Sequence, residues 1–225
     1  MARKKAVRKS ATDRFCPRCG TTLERKKEGG RMRPACATCG HILYGRFSLG
    51  VGGLLWHRGR VLLAQRAHDP GRGRWTLPGG FVEEDEAPDT AVEREVLEET
   101  GLRVKAGGLL AIRHAQSVAD QNAYLVFRLR LTGPVSALQP GGDGHEIARV
   151  VFADPRRLDE LGELGLISRW VIERYGRRPG ALRRVPAAML PAPPPGHRWS
   201  AVFAAQPAAI TRRRGGVRHG RASGR

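Results

Sequence analysis

Between residues 47 and 176 the apolar positions switch between the two-residue period of strands and the wider spacing of helices. FSLGVGGLLW (47–56) and VLLAQ (61–65) are short apolar runs bounded by turn residues. They read as two strands joined over residues 57–60, a hairpin connection that contains Gly59. WTLP reads as a short strand stopped by Pro78. Residues 88–100 predict a helix, with Gly101 placed to end it in the left-handed conformation. In AYLVFRLRL, Leu125, Phe127, Leu129 and Leu131 alternate with Val126, Arg128 and Arg130, the mark of a half-buried strand. IARVVFA (147–153) is a further strand. In LISRWVIERYG, Ile167, Trp170 and Val171 stand at i, i+3 and i+4, an amphipathic helix that closes the unit. Strands enclosing a helix make residues 47–176 one mixed α/β domain.

The flanks differ. Residues 14–46 are punctuated by Cys and Gly and are too short to bury a core unaided. Residues 1–13 read as a disordered basic arm. Residues 177–225, rich in Pro, Ala and Arg without periodicity, read as a disordered tail. Charge sharpens this division: residues 1–46 carry +10, residues 47–176 carry −2 and residues 177–225 carry +11. The middle is an ordinary domain between polycationic ends, which attract phosphate-rich partners weakly or serve as solvated tails. No run reaches the roughly 18 apolar residues of a membrane span. The basic start MARKKAVRKSATDRF has no apolar segment behind it, so a cytoplasmic location is expected.

All four cysteines fall in one pattern, Cys16-x-x-Cys19 and Cys36-x-x-Cys39, each pair followed by glycine. Two such hairpins complete a tetrahedral S4 site suited to structural Zn2+, with all four positions closed by protein. Two disulfides are the competing arrangement, disfavoured in a reducing compartment. His41 reads as a bystander.

The chain's acids concentrate at Glu83, Glu84, Asp85, Glu86, Asp89, Glu93, Glu95, Glu98 and Glu99. On a helix over 88–100, Glu95, Glu98 and Glu99 share one face within a turn, while Val96 and Leu97 point toward a core. Three adjacent carboxylates repel unless cations lie between them, and hard divalent ions want such oxygen donors. Arg94 stands one turn before Glu98. An acidic helical face that is simply solvated is the other reading.

The segment GGFVEEDEAPDTAVEREVLEETGL resembles the box motif of the Nudix hydrolase family. Gly80, Glu86, Arg94, Glu95, Val96, Glu98, Glu99, Gly101 and Leu102 fill its required positions, and WTLPGG resembles the usual lead-in. Asp85 stands where many members carry glycine. FCPRCG…CATCGHILY is similar to the N-terminal zinc ribbon of several members. The SQPWPFP-like segment of the NADH pyrophosphatases is missing, so the chain looks more like the general ribbon-bearing group associated with ADP-ribose, FAD or related nucleotides.

The resemblance implies an α/β/α sandwich with a mixed sheet and a divalent-metal-dependent hydrolase. Such an enzyme cleaves the phosphoanhydride of a nucleoside diphosphate linked to another moiety: ADP-ribose, FAD, NADH or a nucleoside triphosphate. It implies Mg2+ or Mn2+ held by Glu95, Glu98, Glu99 and the Gly80 carbonyl, with Glu86 auxiliary and Arg94 orienting the glutamates. The general base comes from the box or from a later loop, where Glu146 is the candidate and His145 reads as an exposed loop residue. Glu93 lies outside the motif and is expected to matter little. Substrate contacts stay undecided: Arg66, Arg74, Arg113 and His114 suit phosphates, and Trp75 or Phe127 a base, but each equally suits surface or core. The expected partner is a small nucleotide, with weak nucleic-acid contact through the basic termini, no membrane, and a homodimer left open. The alternative is an RNA-associated protein acting on or sensing nucleotide-capped 5′ ends. Against it, the ribbon is expected to lack exposed aromatics that stack bases. A regulator that has lost catalysis is a third class, opposed by the intact glutamates.

Overall fold

A computed structural model describes residues 14–45, 47–116, 121–139, 144–175, 182–184, 187–190, 192 and 198–205. The expected disordered arm, residues 1–13, lies outside them, as does most of the expected disordered tail.

The cysteine segment forms an antiparallel hairpin, β1 (Glu24–Glu28) and β2 (Arg31–Ala35). Gly29 and Gly30, both at positive φ, make its two-residue turn. On either side, Phe15 bridges Thr22 and Ala35 bridges Ile42, and these short bridges frame the two Cys-x-x-Cys turns.

The second unit is a mixed sheet. β3 (Ser48–His57) and β4 (Arg60–Arg66) form the expected hairpin. Both strands run further than their apolar cores, so the turn is only Arg58 and Gly59, each at positive φ. β5 (Trp75–Thr76) pairs with β4, and α1 (Pro88–Thr100) follows. β6 (Val104–Gln116) pairs antiparallel with β7 (Gln121–Leu131), and β7 runs parallel to β3. β8 (Ile147–Ala153) pairs with β4, and α2 (Leu166–Arg174) ends the unit.

The helices cover opposite faces of the sheet. Ala91, Val92 and Val96 of α1 pack in one layer with Val51, Leu55, Leu62 and Phe127. Trp170, Val171 and Ile172 of α2 pack in the other with Leu54, Val61, Leu63 and Val126. Val126 and Phe127 are therefore buried in different layers. The half-buried alternation expected of β7 holds at its end, where Phe127 and Leu129 are buried and Arg130 is exposed, but fails at Val126, which the α2 layer covers. Leu97 also departs from expectation and is 38% exposed. At 100° per residue it lies well away from the Ala91–Val92–Val96 stripe.

Two segments of the expected tail are strands. β10 (Arg198–Ala205) pairs antiparallel with β6, and β9 (Leu182–Arg184) pairs with β10. A free β6 would offer a row of unpaired amides and carbonyls. RWSAVFAA contains no proline, unlike the PAPPPG before it, so no missing amide interrupts its pairing.

Candidate active site

Pro88 at the first helical turn and Gly101 at the end fix α1. The Gly101 φ of 74° lets its N–H close on the Leu97 carbonyl. The strand-like segment before the helix lies along β3: Gly53 N–H donates to Pro78 O, Val51 N–H to Gly80 O and Val82 N–H to Leu49 O. Gly79, at φ 144°, has no room for a side chain, since a Cβ there would stand 2.2 Å from the Val51 carbonyl oxygen. A Cβ on Gly80 would stand 2.5 Å from Glu95 Oε1. The two glycines thus bring backbone directly against the α1 carboxylates. Gly79→Ala should destabilise the fold by several kcal/mol, on the order of 3 or more, because the blocking atoms are backbone. Chemical denaturation checks this, and a loss below about 1 kcal/mol would contradict it.

The glutamates divide by environment. Glu99 is 4% exposed and accepts the Gly79 N–H at 2.8 Å. Burial lifts the Glu95 carboxyl above the ordinary carboxylate range, with Arg94 opposing and the charges of Glu98 and Glu146 adding to the rise. Glu98 is largely exposed. Arg94 lies among them, donating to Glu95 at 3.0 Å, to Glu98 at 2.9 Å and to the Phe81 carbonyl at 3.2 Å. Both Glu86 oxygens also accept from Arg94, at 2.6 and 3.1 Å, and Oε1 accepts the Glu83 N–H as well. The Arg94 hydrogen bonds hold the Glu86 carboxyl below its usual range, and Glu86 in turn holds the Arg94 guanidinium above its own. The structure thus turns Glu86 toward Arg94. Glu95, Glu98, Glu99 and the Gly80 carbonyl offer hard oxygen donors of the kind that divalent ions take, but among the described residues these carboxylates are not gathered within 4.8 Å of one another as the four cysteine sulfurs are.

Glu93 is not idle. It accepts the Ala106 N–H at 2.8 Å and Lys105 Nζ at 3.1 Å, tying α1 to β6. Its helical position, away from both the core stripe and the other glutamates, gave no sign of this.

Glu146 precedes β8. Its carbonyl accepts the Ala67 N–H, its side chain is exposed, and its charge reaches Glu95. Beside it opens a cleft of about 560 Å³ lined in part by Arg66, His68 and Arg72. Of the residues considered for substrate, Arg66 lines this cleft and donates to Pro70 O. Arg74 is paired with Glu163. Trp75 and Phe127 are core residues, and Trp75 donates to Leu161 O. Arg113 lies over the Tyr124 ring and bonds Asn122, while His114 packs against Phe47. Sequence reasoning missed Tyr124. Its hydroxyl is raised chiefly by burial and further by Glu99 and Glu95, so it lies in the field of the carboxylates. Its ring fills the space left by Gly50 and Gly52, a juxtaposition that only the parallel β3–β7 register creates.

In the ribbon, Cys16, Cys19, Cys36 and Cys39 bring their sulfurs within 4.8 Å of one another. Three of the separations are 3.5, 3.5 and 3.6 Å. Four thiolates about 2.3 Å from one zinc stand about 3.8 Å apart in a tetrahedron, whereas a disulfide needs about 2.05 Å. The cluster has the spacing of a structural zinc site.

A family model described as the NUDIX domain matches residues 46–175, and one described as Nudix N-terminal, a zinc ribbon, matches residues 14–45. The chain is 36% identical over 138 residues to an ADP-ribose pyrophosphatase of Methanocaldococcus jannaschii, covering 60% of this chain and 76% of that protein. It is 40% identical over 89 residues to a MutT-like protein of Streptomyces ambofaciens, covering 39% of this chain and 54% of the relative. With the NAD-capped RNA hydrolase NudC of Chromobacterium violaceum it shares 36% identity over 92 residues, 41% of this chain and 34% of that protein. The chain thus spans about half the length of the MutT-like relative and a third of NudC. The crystal structure of a NUDIX hydrolase from Nitrosomonas europaea aligns with a TM-score of 0.60 at 29% identity, covering 72% of this chain and 89% of that one. With the glycine-backed glutamate helix on one face of its mixed sheet and the ribbon before it, the chain belongs to the Nudix family.

Proposed function

We propose that the chain is a divalent-metal-dependent pyrophosphohydrolase. It cleaves the phosphoanhydride of a nucleoside diphosphate linked to a second moiety, with ADP-ribose the first substrate to test. The observation that carries this reading is the placement of Glu95, Glu98 and Glu99 on one turn of α1, with Glu95 against Gly80 and Glu99 on the Gly79 N–H. Bound Mg2+ or Mn2+ supplies neutralisation of the diphosphate charge and acidifies water. Glu95, Glu98, Glu99 and the Gly80 carbonyl would hold it. Arg94, fixed by Glu86, keeps Glu95 and Glu98 oriented. Glu146 takes the proton of the attacking water as its oxygen bonds phosphorus and the bridging P–O bond breaks. From ADP-ribose and water the products are AMP and ribose 5-phosphate.

A panel of ADP-ribose, FAD, NADH, dinucleoside polyphosphates and nucleoside triphosphates, each with and without Mg2+ or Mn2+, tests the reading. No metal-dependent hydrolysis of any of them would overturn it. The same bond occurs at nucleotide-capped 5′ ends of RNA, the substrate in the name of the NudC relative, and capped RNA in the panel separates the two cases.

A pH dependence follows from Glu95. Metal needs the ionised carboxylate, and burial raises the value at which Glu95 ionises. The Mg2+ concentration giving half the maximal rate should therefore rise as pH falls through that raised value, earlier than for a solvent-exposed glutamate. Without metal the sign for stability is opposite: a raised carboxyl favours the folded state at low pH and loses that contribution as pH rises through it. The gain in thermal midpoint on adding Mg2+ should thus grow with pH, and a pH-independent gain would contradict the assignment.

A further inference from the structure

Residues 14–45 hold seven Lys/Arg against two Glu. Contrary to the sequence expectation, this small unit also exposes large rings: Tyr44 is 70% exposed and Phe15 56%, with Met32 at 51%. Side chains so exposed bury little against their own fold. One of them is pinned. The Arg33 guanidinium lies 4.6 Å from the centroid of the Tyr44 ring, and Arg33 Nη1 donates to the Tyr44 carbonyl at 3.4 Å. Lys26, the cross-strand partner of Arg33, stands on the same hairpin face, and so does Arg31, two residues from Arg33 along β2. Glu24 and Glu28 share that face, so its net field is modest and charge alone gives little selectivity.

A ring that is held by a cation yet widely open, with further cations beside it, has the chemistry of single-strand recognition. An unpaired base offers its π-face to the ring, and the backbone phosphates meet Arg and Lys. A duplex keeps its base faces stacked and cannot use the ring this way. We infer that this face of the ribbon, centred on Tyr44 with Arg33 and Lys26, binds single-stranded nucleic acid, independently of the hydrolytic site.

The experiment uses the full zinc-loaded chain, a labelled unstructured oligonucleotide, and a duplex of equal length. The polycationic termini contribute to both probes, so the comparison isolates the ribbon. Tyr44→Ala should weaken single-strand binding about tenfold, within the usual worth of one stacked base, and leave duplex binding unchanged. Tyr44→Phe should retain the affinity. Lys26→Gln, exposed and remote from the ring's backbone, should lower the slope of log K against log salt by about one. Zinc content of each variant confirms an intact ribbon, and ADP-ribose turnover should not change. Equal losses on single strand and duplex, or no loss in Tyr44→Ala and Lys26→Gln, would overturn the inference. A labelled protein partner that competes where the oligonucleotide does not would overturn it as well.

Discussion

Glu98→Gln and Glu99→Gln should each lower kcat for metal-dependent hydrolysis by about 10²–10⁴, or about 3–5 kcal/mol of transition-state stabilisation. Glutamine keeps the shape of each side chain and removes one negative charge. At position 99 the amide oxygen can still accept the Gly79 N–H, so the glycine turn keeps its anchor. At position 98 only an exposed i,i+4 contact with Arg94 is weakened, a pairing worth little to stability. The thermal midpoint without metal should therefore hold or rise slightly as carboxylate repulsion falls. The control needs care. Glu93→Gln keeps an acceptor for the Ala106 amide but loses its charge pairing with Lys105, so it should cost a little stability and no turnover. Asp85→Asn, on the exposed loop before α1, is the cleaner comparison. If positions 85, 98 and 99 give equal, small changes in Mg2+-dependent kcat, the carboxylate cluster is a solvated face and the mechanism fails.

What the sequence disclosed was local. The helix over 88–100 and its Gly101 terminus match α1 residue for residue, since a proline start and a glycine stop act within a few residues of themselves. The cysteine spacing carried the same kind of information, because each Cys-x-x-Cys turn is self-contained. The misses lie where distant segments decide. Val126 is buried only because two helical layers cover β7, and no period along AYLVFRLRL reports a second layer. Residues 198–205 looked like tail because β6, the strand they pair with, is more than eighty residues away. The Tyr124 hydroxyl meets the field of Glu95 and Glu99 through a parallel register, and Glu93 finds its amide on β6, neither of which a helical wheel shows. Tyr44 and Phe15 were misjudged for a related reason. A unit of this size has almost no interior in which to hide a ring.

That thin interior sets the largest stability effect expected. Within residues 14–45, among the described residues, the buried side chains are Cys16, Ala35 and Cys36, and two of these three are metal-ligand candidates. So small a core cannot offset the chain entropy of ordering the unit. Zinc binding in comparable sites is worth about 10–16 kcal/mol of apparent free energy at neutral pH, and where no site exists in the unfolded chain that is folding free energy. The purified chain should therefore carry one zinc without any being added. Cys36→Ser should abolish tight binding and leave residues 14–45 open to limited proteolysis, while residues 47–175 stay protected by their own two-layered core. Because the α1 carboxylates and Gly80 belong to that second unit, ADP-ribose turnover by Cys36→Ser should stay within a few-fold of the unaltered chain. Single-strand binding should fall at the same time, since Tyr44 and Arg33 are held in place only by the folded ribbon. A zinc content near zero with two disulfides in the intact mass would remove the metal assignment. A protease-resistant Cys36→Ser ribbon would show instead that the hairpin folds without it.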